Sequence, residues 1–255
     1  MKRYRFTYES ETSFSAQVTD HSFMLRATPL DCGPQHLLSH SLTVSPSPDS
    51  LSEAYDAWGA RQHYGIVRNG HDGFRYRSEG IVEVHSEPRK EPKPSPVFMT
   101  NTPLTGFIPE MKALCAEGDS LAAAMTIAGR VMNAMTYLPG STGVSTTAGE
   151  AFSQGSGVCQ DFAHIMVAVC RECGIPARYV CGLVIGEGET HAWTEIWHDG
   201  AWYGIDATSG LRCDDRYITM AYGRDASDCS VCRGMFRGLA LQRTSTKVVV
   251  EATDE

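Results

Sequence analysis

The sequence lacks the features by which membrane-spanning, nucleic-acid-binding and nucleotide-binding proteins are recognised. No apolar run reaches about 18 residues, so no transmembrane helix is expected. The 22 lysines and arginines form no basic block and are outnumbered by 30 aspartates and glutamates, which gives a net charge of −8. Such an acidic chain is a poor partner for nucleic acid or an anionic membrane. Neither a P-loop nor an H-E-x-x-H motif is present, so we expect no nucleotide, no catalytic zinc ion and no other cofactor.

The chain also lacks two marks of secretion. The basic residues of segment 1–7 are followed by no apolar stretch, so no signal peptide is expected. Its nine cysteines are an odd number, which disfavours a complete disulfide framework and favours a reducing compartment. We therefore expect a cytoplasmic protein, while its oligomeric state stays open.

The composition is that of a folded protein with two parts. The 255 residues, of which 42% are hydrophobic and 20% charged, suffice for one large domain or two smaller ones. Residues 87–96 hold four prolines and no apolar anchor, as an extended linker does. Before this linker, short alternating apolar runs in residues 1–86 predict a β-sandwich. After it, residues 97–255 form the second domain, and helical spacing first becomes visible behind a predicted N-cap at Asp119.

A cysteine stands at the start of a predicted central helix. Ser156 can cap a helix whose first turn contains Cys159, and apolar residues cover nearly all of its faces until Gly174 and Pro176 end it. A thiol at a helix N-terminus lies beside unpaired N–H groups and the positive end of the dipole, which both favour the thiolate. The backbone N–H of Cys159 would point to where an oxyanion can form. The alternative is a buried structural cysteine, from which only the glycine-rich approach distinguishes this one.

A histidine and an aspartate are predicted to meet on one face of a downstream hairpin. Asp199 and Gly200 suit its turn. If they form a two-residue loop, residue 198 pairs with 201, and His191 and Asp206 become diagonal neighbours about 7–8 Å apart at the backbone. A four-residue loop preserves this relation, whereas a three-residue loop places the two on opposite faces. The pattern indicates a nucleophile, base and orienting acid in Cys159, His191 and Asp206, with a solvated His191 as the alternative.

Other residues have weaker claims to chemistry. His164 lies five residues after Cys159, about 140° round the helix, and is expected to support the helix through a buried hydrogen bond. Two C-x-x-C pairs have the spacing of a tetrahedral zinc site, although free thiols are the simpler interpretation. The four cysteines of this alternative are Cys170, Cys173, Cys229 and Cys232.

Three motifs, in this order, resemble those of the bacterial transglutaminase-like cysteine enzymes. They are GVCQDFAH at 157–164, HAWTE at 191–195 and DAT at 206–208. That superfamily includes transglutaminases, proteases, amidases and non-catalytic relatives. The first half of the chain is similar to the N-terminal domain that often precedes their core. The resemblance implies an α+β fold, with an N-terminal β-sandwich and a papain-like core whose nucleophile starts a helix packed on an antiparallel sheet.

By this resemblance Cys159 is the nucleophile, His191 the base and then the acid, and Asp206 the group that orients the base. The Cys159 N–H is one oxyanion donor. The thiolate would attack an amide carbonyl, and water or another amine would resolve the thioester. We expect hydrolysis of a peptide or amide substrate, with transamidation and a non-catalytic peptide-binding scaffold as alternatives. The second oxyanion donor is left open among three residues: Gln154, Tyr137 and Gln160.

Overall fold

Strands dominate both halves of the chain, as the α+β class predicts. The computed structural model describes residues 1–253. The strands of the first part are β1 (Lys2–Leu25), β2 (Gln35–Ser45), β3 (Ser50–Tyr55), β4 (Arg61–Val67), β5 (His71–Val84) and β6 (Arg89–Lys90). Within the described residues, no helix is both long and apolar enough to cross a membrane.

The second part adds helices and a further set of strands. Short 3₁₀ helices at Pro96–Met99 and Pro109–Leu114 precede the α-helices α1 (Ser120–Ala134), α2 (Ala148–Gln154) and α3 (Cys159–Glu172). The strands are β7 (Thr136–Tyr137), β8 (Ser156–Gly157), β9 (Ala177–Val184), β10 (Gly186–Gly188), β11 (His191–His198), β12 (Ala201–Asp206), β13 (Leu211–Arg212), β14 (Tyr217–Gly223), β15 (Cys232–Arg237) and β16 (Gln242–Ala252).

Strand β1 organises the N-terminal sandwich because it is long enough to serve both layers. Its residues 4–13 lie between β5 and β16, and its residues 22–25 lie between β4 and β15. Tyr4, Phe6 and Tyr8 alternate with more exposed residues and are buried in the sandwich core. This alternation of inward and outward side chains is what a strand with one face in a core requires.

Helix α3 lies at the centre of the second part. The antiparallel sheet beneath it has the order β13-β12-β11-β9-β14, and α3 packs on β11 and β9. As its apolar pattern predicts, the helix is buried along its length, from Asp161 to Arg171. It ends at the predicted glycine, since Gly174 adopts a φ of 75° directly after the C-cap residue Cys173.

The C-terminal strands do not belong to this second sheet, although the sequence division extended the catalytic domain to residue 255. Strand β16 pairs with β1, placing Val250 opposite Phe6 and Val248 opposite Tyr8. Strand β15 pairs with the other end of β1. The alternating valines of β16 are buried in the sandwich core, which gives the last strands their place in the N-terminal sheet.

The proline-rich segment 87–96, predicted to be an extended linker, is anchored to the second sheet. Its residues Arg89 and Lys90 form β6, which pairs with β12. The indole N–H groups of Trp197 and Trp202 donate to the backbone carbonyl and the carboxylate of Glu91, both at 2.8 Å. These anchors are polar and leave no apolar pattern in the sequence. The segment, called the strap below, lies along the second sheet.

Gln35 joins the two parts through buried hydrogen bonds. Its side-chain amide donates to the carbonyls of Leu30 and Thr219, at 2.6 and 2.8 Å, and its carbonyl accepts from the Thr219 N–H at 2.8 Å. Gln35 is 4% exposed, so water does not replace these partners readily.

Gln35→Ala leaves the Thr219 N–H without its partner, while the Thr219 carbonyl keeps only the Leu30 N–H as a donor. We expect the free energy of unfolding to fall by about 2–4 kcal/mol, the cost of buried groups left unsatisfied. Urea denaturation followed by circular dichroism measures it. Gln17→Ala, at an exposed position, is the control and should change the value by less than about 0.5 kcal/mol. Equal losses in both variants would contradict the bridging role.

Candidate active site

Cys159 is the first residue of α3, and a carboxylate holds the start of that helix. Asp161 Oδ2 accepts from the Val158 N–H at 2.8 Å and from the Thr142 hydroxyl at 2.6 Å. Ser156, the predicted cap, instead lies in β8, where its hydroxyl is 3.0 Å from the Gln154 amide nitrogen. The prediction of the cap was wrong: the N-cap residue is Val158, and its N–H donates to the carboxylate of Asp161, the third residue of the helix.

A missing side chain makes this cap possible. A Cβ atom at Gly157 would lie 2.6 Å from both the Cβ and the Oδ2 of Asp161, closer than real Cβ contacts come. Gly157 is also buried and pairs in parallel with Tyr137 through β7 and β8. The glycine before the nucleophile therefore permits the capping carboxylate to fold back over the helix start.

The hairpin of β11 and β12 brings the predicted histidine and aspartate together. Thr194 pairs with Ile205 and His198 with Ala201, which is the predicted register. His191 Nε2 lies 2.8 Å from Asp206 Oδ2. An ionised carboxylate only accepts, so Nε2 carries the hydrogen and Nδ1 is left for the thiol of Cys159.

Asp206 has further donors that the sequence argument missed. The Tyr217 hydroxyl donates to Oδ2 at 3.0 Å, and the Thr208 N–H and hydroxyl donate to Oδ1 at 2.9 and 2.7 Å. Burial opposes ionisation of Asp206, but hydrogen bonds from His191 and Thr208 and the charge of His191 hold its pKa below the ordinary value. The Asp-Ala-Thr spacing is a recognisable signal for Thr208. Tyr217 carries no such signal, since it arrives from β14.

The charge of His191 is stabilised by its two neighbours. Burial lowers the pKa of His191, but hydrogen bonds to Asp206 and Cys159, together with the negative charges of both groups, outweigh burial and raise it to about 10. A histidine with a raised pKa keeps its proton at neutral pH and loses it as the pH rises through about 10. At neutral pH the Cys159 thiol therefore lies beside an imidazolium.

The three oxyanion candidates occupy different positions. Tyr137 lines the cleft beside Cys159. Burial first, and then the negative charges of Cys159 and Glu189, raise its pKa, opposed by a hydrogen bond from the Cys159 backbone N–H. Gln160 also lines the cleft, but its amide lies 3.5 Å from the Val144 carbonyl. Tyr137 is thus a candidate whose hydroxyl contacts the expected oxyanion donor, the Cys159 N–H.

Gln154 has a different role from the one predicted as a candidate. Its amide donates to the Ser141 carbonyl at 3.0 Å and lies 3.0 Å from the Ser156 hydroxyl, and it does not line the cleft. Gln154 is the last residue of α2, and its side chain contacts the 138–146 loop. An oxyanion donor at Gln154 is therefore not supported.

His164 is buried and hydrogen-bonded, as a helix-supporting residue would be. Its Nε2 accepts from the Ala226 N–H at 3.1 Å, and its ring packs on Tyr179. Burial lowers the pKa of His164 to about 4, so the ring is neutral. Its Nδ1 is buried and has no hydrogen-bond partner within the described residues.

The two C-x-x-C pairs do not converge on one point. Cys229 lies 3.9 Å from the Tyr179 carbonyl, Cys232 lies beside Tyr76, and Cys173 lies beside Cys115. Within residues 1–253, no three histidine, cysteine or acidic side chains are grouped as a metal site. Cys170, Cys173, Cys229 and Cys232, the four cysteines of the zinc alternative, therefore form no such group within the described residues.

The cleft next to Cys159 has a volume of about 720 Å³. One wall is the 137–139 segment, with the exposed ring of Tyr137. Another wall is the 184–190 segment, which contains β10. Cys159, His191 and Asp206 line the same cleft, so a chain bound in it would contact the thiol.

Gly157→Ala should disturb the helix start without touching the three polar residues. The new Cβ must displace Asp161, so we expect a stability loss of about 1–3 kcal/mol and slower alkylation of Cys159. Thermal denaturation and site-resolved mass spectrometry measure the two effects. Gly188→Ala is the matched control, because no atom lies within 4 Å of its added Cβ. Unchanged alkylation and stability in Gly157→Ala would show that the close approach is unimportant.

Two family models match this chain. The model of the transglutaminase-like superfamily matches residues 112–207, which include Cys159, His191 and Asp206. The model of the bacterial transglutaminase-like N-terminal region matches residues 4–83. The matched ranges correspond to the second sheet with its helices and to the sandwich that precedes it.

Individual proteins are also similar to this chain in sequence or in fold. An uncharacterised protein of Mycobacterium leprae is 29% identical over 283 residues, covering 99% of each chain. The Pseudomonas aeruginosa protein-glutamine gamma-glutamyltransferase is 33% identical over 88 residues, covering 29% of this chain and 13% of its own. The crystal structure of a candidate cysteine protease from Cytophaga hutchinsonii shares the fold, with a TM-score of 0.82 at 24% identity, covering 100% of this chain and 92% of that one. The chain therefore belongs to the transglutaminase-like superfamily, with the bacterial N-terminal region in front of its core.

Proposed function

We propose that this chain is a cysteine-dependent enzyme that transfers the acyl group of a peptide or amide to its own thiol and then to water. The observation that carries the proposal is the hydrogen-bonded series in which His191 lies between Cys159 and Asp206. A nucleophile, a base and a group that orients the base are what acyl transfer requires. The match to the transglutaminase-like superfamily supports this class of reaction.

In the first half-reaction the Cys159 thiolate attacks the carbonyl carbon of the amide. The oxyanion forms beside the Cys159 N–H, with the Tyr137 hydroxyl as the second donor. When the C–N bond breaks, the imidazolium gives its Nδ1 proton to the leaving amine. The products are a thioester on Cys159, a free amine and a neutral His191.

In the second half-reaction water resolves the thioester. The neutral ring takes a proton from water at Nδ1, hydroxide adds to the thioester carbonyl, and the thiolate leaves. Throughout, the Nε2–H group of His191 stays hydrogen-bonded to Asp206. Hydrogen bonds from Thr208 and Tyr217 keep that carboxylate ionised. These donors fix the ring orientation in both half-reactions.

Transamidation is a second candidate, since 88 residues match the P. aeruginosa glutamyltransferase at 33% identity. There an amine would take the place of water. Hydrolysis is favoured because Cys159 is half-buried and the His191 side chain is 21% exposed, so water reaches the thioester directly.

We propose the cytoplasm as the compartment. All nine cysteines, which lie within the described residues, are free thiols. A reducing environment preserves that state and keeps Cys159 available as a nucleophile.

His191→Ala removes the imidazolium beside Cys159. Since the pKa of His191 is about 10, the wild-type charge persists from neutral pH to about pH 10 and favours the neighbouring thiolate over that range. At about pH 6.5, iodoacetamide should label Cys159 at least about tenfold faster in the wild type than in the variant. The difference should shrink above about pH 8.5, where an ordinary thiol ionises. Site-resolved mass spectrometry gives the rates.

His198→Ala is the control for this measurement, because His198 lies at the far end of β11, hydrogen-bonded to Ser120 at 2.7 Å. It should label at the wild-type rate. If His191→Ala also labels at the wild-type rate, no ion pair activates Cys159 and the proposed base is incorrect.

Acylation by p-nitrophenyl acetate tests the two half-reactions without knowledge of the natural substrate. We expect an acetyl group on Cys159 by mass spectrometry, none in Cys159→Ser, and slower loss of the group in His191→Ala because the base for water is absent. Added methylamine distinguishes the two candidate reactions, since N-methylacetamide exceeding acetate would favour transamidation. Failure to acylate Cys159 at all would leave the non-catalytic scaffold as the better description.

A further inference from the structure

The charged side chains that line the cleft are almost all acidic. Among the described lining residues they are Glu187, Glu189, Asp206 and His191, and neither lysine nor arginine is present there. The cleft wall that carries the two glutamates, 184–190, lines the same space as Tyr137 and Cys159. A substrate entering this space therefore meets negative charge and apolar rings.

The acidic residues differ in how far they are neutralised. Asp206 is paired with His191 at 2.8 Å, and Glu187 is paired with Lys247 at 2.6 Å. Within residues 1–253, the Glu189 carboxylate has neither an ion pair nor a side-chain hydrogen bond to another residue. Glu189 is thus the acidic group of the cleft that the protein leaves without a counter-charge.

Glu189 is also close enough to act on the reacting groups. It lies two residues before His191 and lines the same cleft as Cys159. Together with burial and the charge of Cys159, its charge raises the pKa of the Tyr137 hydroxyl, which lines the same cleft. The adjoining strand β10 is fixed by pairing with β16, which holds the glutamate wall in place.

We propose, resting on the proposed acyl transfer, that Glu189 selects amide substrates that carry a primary ammonium or a guanidinium group beside the scissile bond. An opposite charge at this position gains Coulomb energy in the cleft, while a carboxylate there is repelled by Glu189. The glutamate is exposed, so salt screens the selection. The cation lies either on the acyl part of the substrate or on its leaving amine. In both positions it would be attracted to the Glu189 carboxylate in the same way.

Charged thiol reagents test the selection independently of turnover. The Cys159 thiolate attacks the sulfur of a methanethiosulfonate, forming a mixed disulfide and releasing methanesulfinate. We expect the ratio of labelling rates for the 2-aminoethyl and the 2-sulfonatoethyl reagents to fall about three- to tenfold in Glu189→Gln. The wild-type ratio should also shrink between about 0.05 and 0.5 M salt. Rates are followed at Cys159 itself by mass spectrometry, because eight other cysteines are present.

Two further variants make the reagent test specific. Glu117→Gln removes an exposed acidic charge near Cys173, at the opposite end of α3 from Cys159, and should leave the ratio within about twofold of the wild type. Glu189→Asp keeps the charge and should retain most of the preference. An unchanged ratio in Glu189→Gln, or an equal fall in Glu117→Gln, would overturn the proposal.

Matched peptide amides then locate the cation. Substrates differ only in lysine, glutamine or glutamate on the acyl side, or on the leaving-amine side, of one amide bond. The lysine-to-glutamate ratio of kcat/KM should fall about three- to tenfold in Glu189→Gln for the side that contacts it. An equal ratio in both enzymes on both sides would overturn the proposal. If no amide is cleaved while the reagent ratio still depends on Glu189, acyl transfer is what fails, and the charge selection of the cleft is supported.

Discussion

The candidate site depends on the hydrogen bond between His191 and Asp206, a carboxylate that is 3% exposed. A buried carboxylate is tolerated only when its oxygens are satisfied, and here His191, Thr208 and Tyr217 supply the donors. The same bond fixes the imidazole so that its other nitrogen faces Cys159. Sheet register, ionisation of Asp206 and orientation of the base are therefore one constraint: a hairpin shifted by one residue would lose all three together.

The parts of the site that depend on local sequence could be predicted. Asp199 and Gly200 adopt φ values of 44° and 80°, as the tight hairpin turn requires, and this turn alone sets the register that joins His191 to Asp206. Tyr217 could not be predicted, since it comes from β14, which is separated from β11 by β9. Which strand lies beside which is a property of the sheet, and no spacing in the chain reports it.

The same division between local and distant causes explains the errors at the domain boundary. The prolines of 87–96 marked the change from one part to the other, because backbone restriction is local. The alternation of buried Val248 and Val250 in β16 is compatible with any sheet edge. Only the assembled fold shows that β16 pairs with β1. The anchoring of the strap could not be predicted for a related reason. Glu91 accepts hydrogen bonds from two indole N–H groups, and polar contacts of this kind leave no apolar pattern in the sequence.

Because β16 pairs with both β1 and β10, the N-terminal part contributes to the cleft. Gly186 pairs with Val250, and Val250 pairs with Phe6, so the cleft wall is an outer strand of the N-terminal sheet. A wall that contains Gly186 and Gly188 has much conformational freedom to lose, and backbone hydrogen bonds to β16 remove part of it. Residues 186–188 of the cleft wall are thus held by a strand of the sandwich. A transglutaminase-like core lacking its N-terminal part would keep the His191–Asp206 bond but lose the support of the wall that carries Glu189.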